Sequence, residues 1–99
     1  MSDAPKQRRI ERRLYVGNIP FKATQRDVAA YVTEGLPGSA VIEVGIPMNT
    51  EKGLNRGYAF VTVALPDGAG PNAWEVLNDG FIGPRQVSVK ISKRDEYGG

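Results

Sequence analysis

The sequence predicts an α+β domain in the order βαββαβ, with a four-stranded antiparallel sheet and two helices on one of its faces. Three observations predict it. Four short stretches, residues 14–19, 41–46, 58–63 and 87–91, are rich in apolar and β-branched residues, the first and last with period-two alternation. Between the first and second stretches the apolar residues switch to helical spacing, and a proline-opened segment lies between the third and fourth. Glycine and proline punctuate the junctions. This order fits the split βαβ, or ferredoxin-like, sandwich, whose antiparallel sheet can keep one face open.

Each element has its own signal. In the first strand, Leu14-Tyr15-Val16-Gly17-Asn18-Ile19, the residues Leu14, Val16 and Ile19 are apolar and Pro20 ends the run. Thr24-Gln25-Arg26-Asp27 has capping-box spacing, in which the Thr24 hydroxyl accepts from the amide of residue 27. Val28, Tyr31 and Val32 follow on one helical stripe, and Gly35 and Pro37 close the helix. Residues 41–46 read as the second strand and 58–63 as the third. The polar, glycine-containing loop at 49–55 makes a hairpin their natural connection. Pro66, Asp67, Gly68 and Gly70 break the chain, after which Pro71 suits the first turn of a second helix reaching Asn78. Gly80, Gly83 and Pro84 make the next turn. Val87, Val89 and Ile91 then alternate with Ser88, Lys90 and Ser92 in the fourth strand. Gly68-Ala69-Gly70-Pro71-Asn72-Ala73 fits the letters of a dinucleotide-binding loop. That loop needs a parallel βαβ unit and an acidic residue on the next strand, where Ser88 and Lys90 stand instead. A turn leading into a proline-started helix explains it.

Ninety-nine residues suit one domain. Residues 1–12 are expected to be a disordered basic arm, 13–93 the folded domain and 94–99 a flexible tail. The absence of cysteine excludes disulfides and thiolate–metal sites. The absence of histidine removes the commonest general base and zinc ligand. Carboxylate-only catalysis stays open to such a chain; the expectation is no enzyme and no cofactor. Net charge is only +2, yet residues 1–13 hold five basic groups against two acidic ones, a concentration that favours a polyanionic partner. No run has the length of a membrane span, and no apolar stretch resembles a signal peptide, so an intracellular protein without membrane contact is expected.

Two segments carry a family resemblance. Leu14-Tyr15-Val16-Gly17-Asn18-Ile19 resembles the hexamer of the RNA recognition motif (RRM) family. Arg56-Gly57-Tyr58-Ala59-Phe60-Val61-Thr62-Val63 resembles its octamer, basic-Gly-aromatic-Gly/Ala-Phe-Val-x-aromatic. The resemblance covers residues 13–93. It implies a single-stranded RNA-binding module in RNA processing, located in the nucleus or cytoplasm with the nucleus preferred. The alternative within the family is an RRM used mainly as a protein-interaction domain in a ribonucleoprotein complex. The one departure, Val63 at the octamer's usually aromatic last place, faces the core by alternation and affects packing only. A second, weaker resemblance links residues 12–21 to the start of the first RRM in the large subunit of the splicing factor that binds the polypyrimidine tract. It hints at pre-mRNA processing and uridine-rich RNA.

In the fold so implied, the first and third strands are central neighbours. Alternation then puts Leu14, Val16, Ala59, Val61 and Val63 toward the helices, and Tyr15, Tyr58, Phe60 and Thr62 on the open face. Aromatic rings exposed there suit the flat faces of bases. Tyr15, Tyr58 and Phe60 are the expected stacking residues, Arg56 the expected phosphate contact and Asn18 a base-edge contact. Lys90 and Ser92 are expected on the open face of the fourth strand, with Arg94 on the outgoing chain and Arg12 and Arg13 entering from the arm. Glu43, on the same face, could accept from a base amino group. Trp74 is expected at the edge of the core and Val76 outside it, where an apolar helix face would suit other ribonucleoprotein subunits. A monomer is expected.

Overall fold

The computed structural model describes residues 10–92. The expected arm as far as residue 9, the last residue of the expected domain, 93, and the expected tail at 94–99, Arg94 included, lie outside the described residues. Strand β1 is Glu11–Gly17, beginning before the apolar alternation does. Arg12 and Arg13 continue the ladder because β5 (Tyr58–Ala64) extends far enough to pair with them, at Val63 and Thr62. After β1 comes helix α1, Gln25–Gly35. Its capping box forms as the spacing predicts: the Thr24 hydroxyl accepts from the Asp27 amide at 3.2 Å, and the Asp27 carboxylate accepts from the Thr24 amide at 2.9 Å. Strand β2 is Ala40–Gly45. The polar loop at 49–55 contains a short ribbon of its own, β3 (Met48–Asn49) and β4 (Leu54–Asn55). A second ribbon, β6 (Phe81–Ile82) with β7 (Arg85–Gln86), precedes β8 (Ser88–Ile91).

The four long strands form one antiparallel sheet in the spatial order β2-β5-β1-β8. Leu14, Val16, Ala59, Val61 and Val63 are fully buried on one face, packed with Val28 and Val32 of α1. An irregularity between Val41 and Glu43 lets Glu43 pair with Thr62 and leaves Ile42 half-exposed.

The expected second helix is corrected. Among the described residues there is one α-helix, and the segment after Pro71 is a 3-10 helix, Ala73–Leu77. Its bonds run three residues back, from the Glu75 amide to the Asn72 carbonyl at 3.0 Å and from the Asn78 amide to the Glu75 carbonyl at 3.1 Å. The segment is too short to offset the cost of α-helix nucleation. Asn72 supplies no side-chain cap, and Asp79 turns into the left-handed region at φ 70°. Asn78 faces a different duty, accepting from the Val89 amide at 2.8 Å and so tying the segment to β8. The core role survives the change: Leu77 is buried, and Ala73 and Trp74 pack against the cluster.

Two side chains lock these layers. Asn55, only 3% exposed, donates to the carbonyls of Pro20 (2.9 Å) and Ala23 (3.2 Å) and accepts from the Gly57 amide at 2.7 Å. One amide thus fastens the β1–α1 connection to the start of β5. Tyr31 of α1 donates its phenol to the Leu77 carbonyl, and a Cβ at Gly80 would collide with that hydroxyl, which requires glycine there.

Replacing Asn55 by alanine takes the side-chain partner from the Ala23 carbonyl and the Gly57 amide, while the Pro20 carbonyl keeps the Ala23 amide at 2.9 Å, and is expected to cost about 2–4 kcal/mol. Denaturant unfolding checks this, and a loss below about 0.5 kcal/mol would remove Asn55 from the account. Burial pushes the Tyr31 phenol above its usual pKa; the Gly80 backbone works against this and the Asp79 charge adds to it. The raised folded value means that its stabilising contribution is complete below the ordinary tyrosine range and is lost as pH rises through the folded pKa. Thermal melts between neutral and strongly alkaline pH should therefore fall less steeply for Tyr31→Phe than for the parent. Identical slopes would contradict it.

Candidate nucleic-acid interface

The register of the two central strands decides which side chains meet on the open face. Tyr15 lies opposite Phe60, and Gly17 opposite Tyr58. The three rings are half-buried and touch one another on the side of the sheet away from α1. Tyr15 stacks on Tyr58 with centroids 5.6 Å apart and planes 23° from parallel. Phe60 meets both edge-on, at 5.8 Å from Tyr15 and 5.6 Å from Tyr58. Gly17 makes room for this arrangement: a Cβ there would stand 2.8 Å from Cε1 of Tyr15.

Cations surround the cluster. Arg13 places its guanidinium carbon 5.0 Å from the Phe60 centroid, so it belongs to the sheet face itself. Lys90 pairs with Tyr15 from the neighbouring strand and is exposed. Arg56 is exposed beside the rings, with its backbone amide bonded to the Pro47 carbonyl at 3.0 Å. It lines, with Tyr58, an open groove of about 710 Å³ walled by Lys52, Leu54 and Phe21. Glu43 is exposed, and it shares a second cavity with Arg13, Phe60 and Thr62.

Two expected site residues are placed differently. Asn18, at φ 64°, donates to the Gln86 carbonyl at 2.7 Å and accepts from the Arg85 guanidinium at 2.8 Å. Its amide holds the β6–β7 ribbon against the end of β1, and the residue stays exposed to solvent there. Ser92 lies alongside Arg13, Glu43 and Thr62 but is only 4% exposed, because its amide continues the sheet to the Arg13 carbonyl at 2.8 Å. Its hydroxyl is buried without a hydrogen-bond partner. Arg12 turns away from the open face, donating to the Pro71 carbonyl at 3.2 Å.

Sequence reasoning missed Phe21, Arg85 and Asn55. Phe21 belongs to neither periodic pattern, and an aromatic residue directly after a strand-ending proline was the available signal. Asn55 gave none, since its buried bonds join segments far apart in the chain.

Among the described residues no helix is long and apolar enough to cross a membrane, and no group of acidic residues is arranged to hold a metal ion. No protein-family model matches the chain. It is 32% identical over 81 residues to the RNA-binding protein CP33, chloroplastic, of Arabidopsis thaliana, an alignment covering 82% of this chain and 23% of that protein. The chloroplast location of that relative lends no support to the expected nuclear one. The crystal structure of the RNA-binding protein PG1 superposes with a TM-score of 0.62 at 26% identity, covering 82% of this chain and 93% of the other. The RRM of Rna15, solved with bound RNA (GU), superposes with a TM-score of 0.61 at 24% identity, covering 82% of each chain. With the hexamer on β1, the octamer on the adjoining β5 and the fold shared with solved RRM domains, the chain has the RRM fold and resembles the RNA recognition motif family.

Proposed function

We propose that the chain is a single-stranded RNA-binding module in which bases stack on Tyr15, Tyr58 and Phe60. The observation that carries this reading is the cluster of three mutually contacting, half-exposed rings on the face opposite α1. A sheet needs no such cluster on a face that, among the described residues, carries no packed layer, whereas an unpaired base offers a flat apolar partner worth about 1–3 kcal/mol per stack. Arg13, Arg56 and Lys90 stand around the rings, where they would meet phosphates. Arg94, outside the described residues, extends that role along the outgoing chain. The Rna15 domain, which shares this fold, was solved with bound RNA, and that supports RNA as the ligand class here. Service in RNA processing, and a taste for uridine-rich RNA, extend the reading through the weaker resemblance of residues 12–21. The module acts as a monomer and as a binder of RNA rather than a catalyst.

A second reading draws on Val76, which is 65% exposed beside the half-buried Trp74, whose indole N–H has no partner. On that reading the domain serves mainly to contact other ribonucleoprotein subunits through this edge. RNA titration separates the two. Tyr15→Ala and Phe60→Ala should each weaken binding of short single-stranded RNA by roughly 5- to 100-fold in fluorescence anisotropy, with an unchanged circular dichroism spectrum. An RNA duplex should bind poorly, because paired bases present no free faces. Parent-like affinity in both variants would move the site off the sheet.

A further inference from the structure

Phe21 is a large aromatic side chain that the core does not use. It is 50% exposed and stands outside the buried cluster. Its backbone is nevertheless held firmly. The Phe21 carbonyl accepts from the Asn55 amide at 3.1 Å, and the Asn55 side chain grips the carbonyls of Pro20 and Ala23 on either side of the turn. The ring is also held: the Arg85 guanidinium carbon lies 5.0 Å from its centroid, and Arg85 is itself anchored on Asn18. Gly57 passes close by, where a Cβ would sit 3.5 Å from the ring. Phe21 lines the open groove together with Tyr58 and Arg56, and Arg85 is not among the residues that wall it. That groove also carries Lys52, giving it two cations against the single carboxylate of Glu51.

An exposed ring, fixed in place, beside a cationic groove continuous with Tyr58 matches the requirements of a stacking platform on a strand of RNA. We infer that Phe21 is a further base-stacking residue, and that the RNA leaves the sheet at Tyr58 and enters the groove beneath Arg56 and Lys52. The inference rests on the sheet-face reading above. It lengthens the bound segment by a nucleotide beyond those on the three sheet rings.

A fluorescein-labelled pool of random single-stranded RNA octamers tests it by anisotropy titration with the parent chain, Phe21→Ala, Phe21→Leu and Tyr15→Ala. Phe21→Ala should lose affinity by roughly five- to fiftyfold. Phe21→Leu should lose nearly as much, since leucine keeps apolar bulk without a π-face, and Tyr15→Ala should also weaken. Parent-like binding by Phe21→Ala, with Tyr15→Ala weakened, overturns the Phe21 platform and leaves the sheet-face reading standing. Parent-like binding by Phe21→Leu alone overturns stacking as the cause. Parent-like binding by Tyr15→Ala removes the sheet-face site, and the groove extension with it.

Discussion

Backbone pleating in the β1–β5 pair governs the molecule. Successive side chains on a strand emerge on opposite faces, so the antiparallel register that sets Leu14 against Val61 also sets Tyr15 against Phe60. Burial drives that choice. Leu14, Val16, Ala59, Val61 and Val63 have no exposed surface, and a one-residue slip would exchange them for tyrosines, phenylalanine and threonine in the core. The hydrophobic effect on one face therefore fixes the aromatic face on the other. No separate force is needed to present the rings.

Around this pair, single asparagines join loops to the sheet. Asn55 ties the β1–α1 turn to the start of β5, Asn18 secures the β6–β7 ribbon to the end of β1, and Asn78 fastens the 3-10 helix to β8. Each satisfies buried or strained backbone near a strand end, where the ladder itself runs out of partners. The result is that Phe21, Arg85 and Arg56 stand on supported loops at one end of the ring cluster. Loops held in this way extend a flat sheet into a groove without loosening the core.

Period-two patterning made the core face and the three rings readable before any coordinates, because alternation is a property of adjacent residues. The capping box at Thr24 was readable for the same reason. The 3-10 helix was not: Pro71 and the residues after it carry helix-start signals, and only the limited span before Asp79, together with the Asn78–Val89 bond, tightens the turn. Ser92 has the parity of the open face, and Asn18 stands just past the end of β1. Their partners, the β6–β7 ribbon and the Arg13 backbone, come from residues 67 and more positions away and leave no mark on the local pattern. Local signals predicted the ring cluster, and long-range hydrogen bonds fixed where Asn18 and the Ser92 backbone lie beside it.

The claim at the centre is that one face of the β1–β5 pair meets RNA while the other is sealed by α1. Nuclear magnetic resonance of the chain during titration with short single-stranded RNA tests it most directly. The account requires the ring signals of Tyr15, Tyr58 and Phe60 to move together with the amides of β1 and β5, while the methyl groups of Val28 and Val32 hold still. Shifts concentrated on the outer surface of α1, with the three rings unmoved, would contradict it.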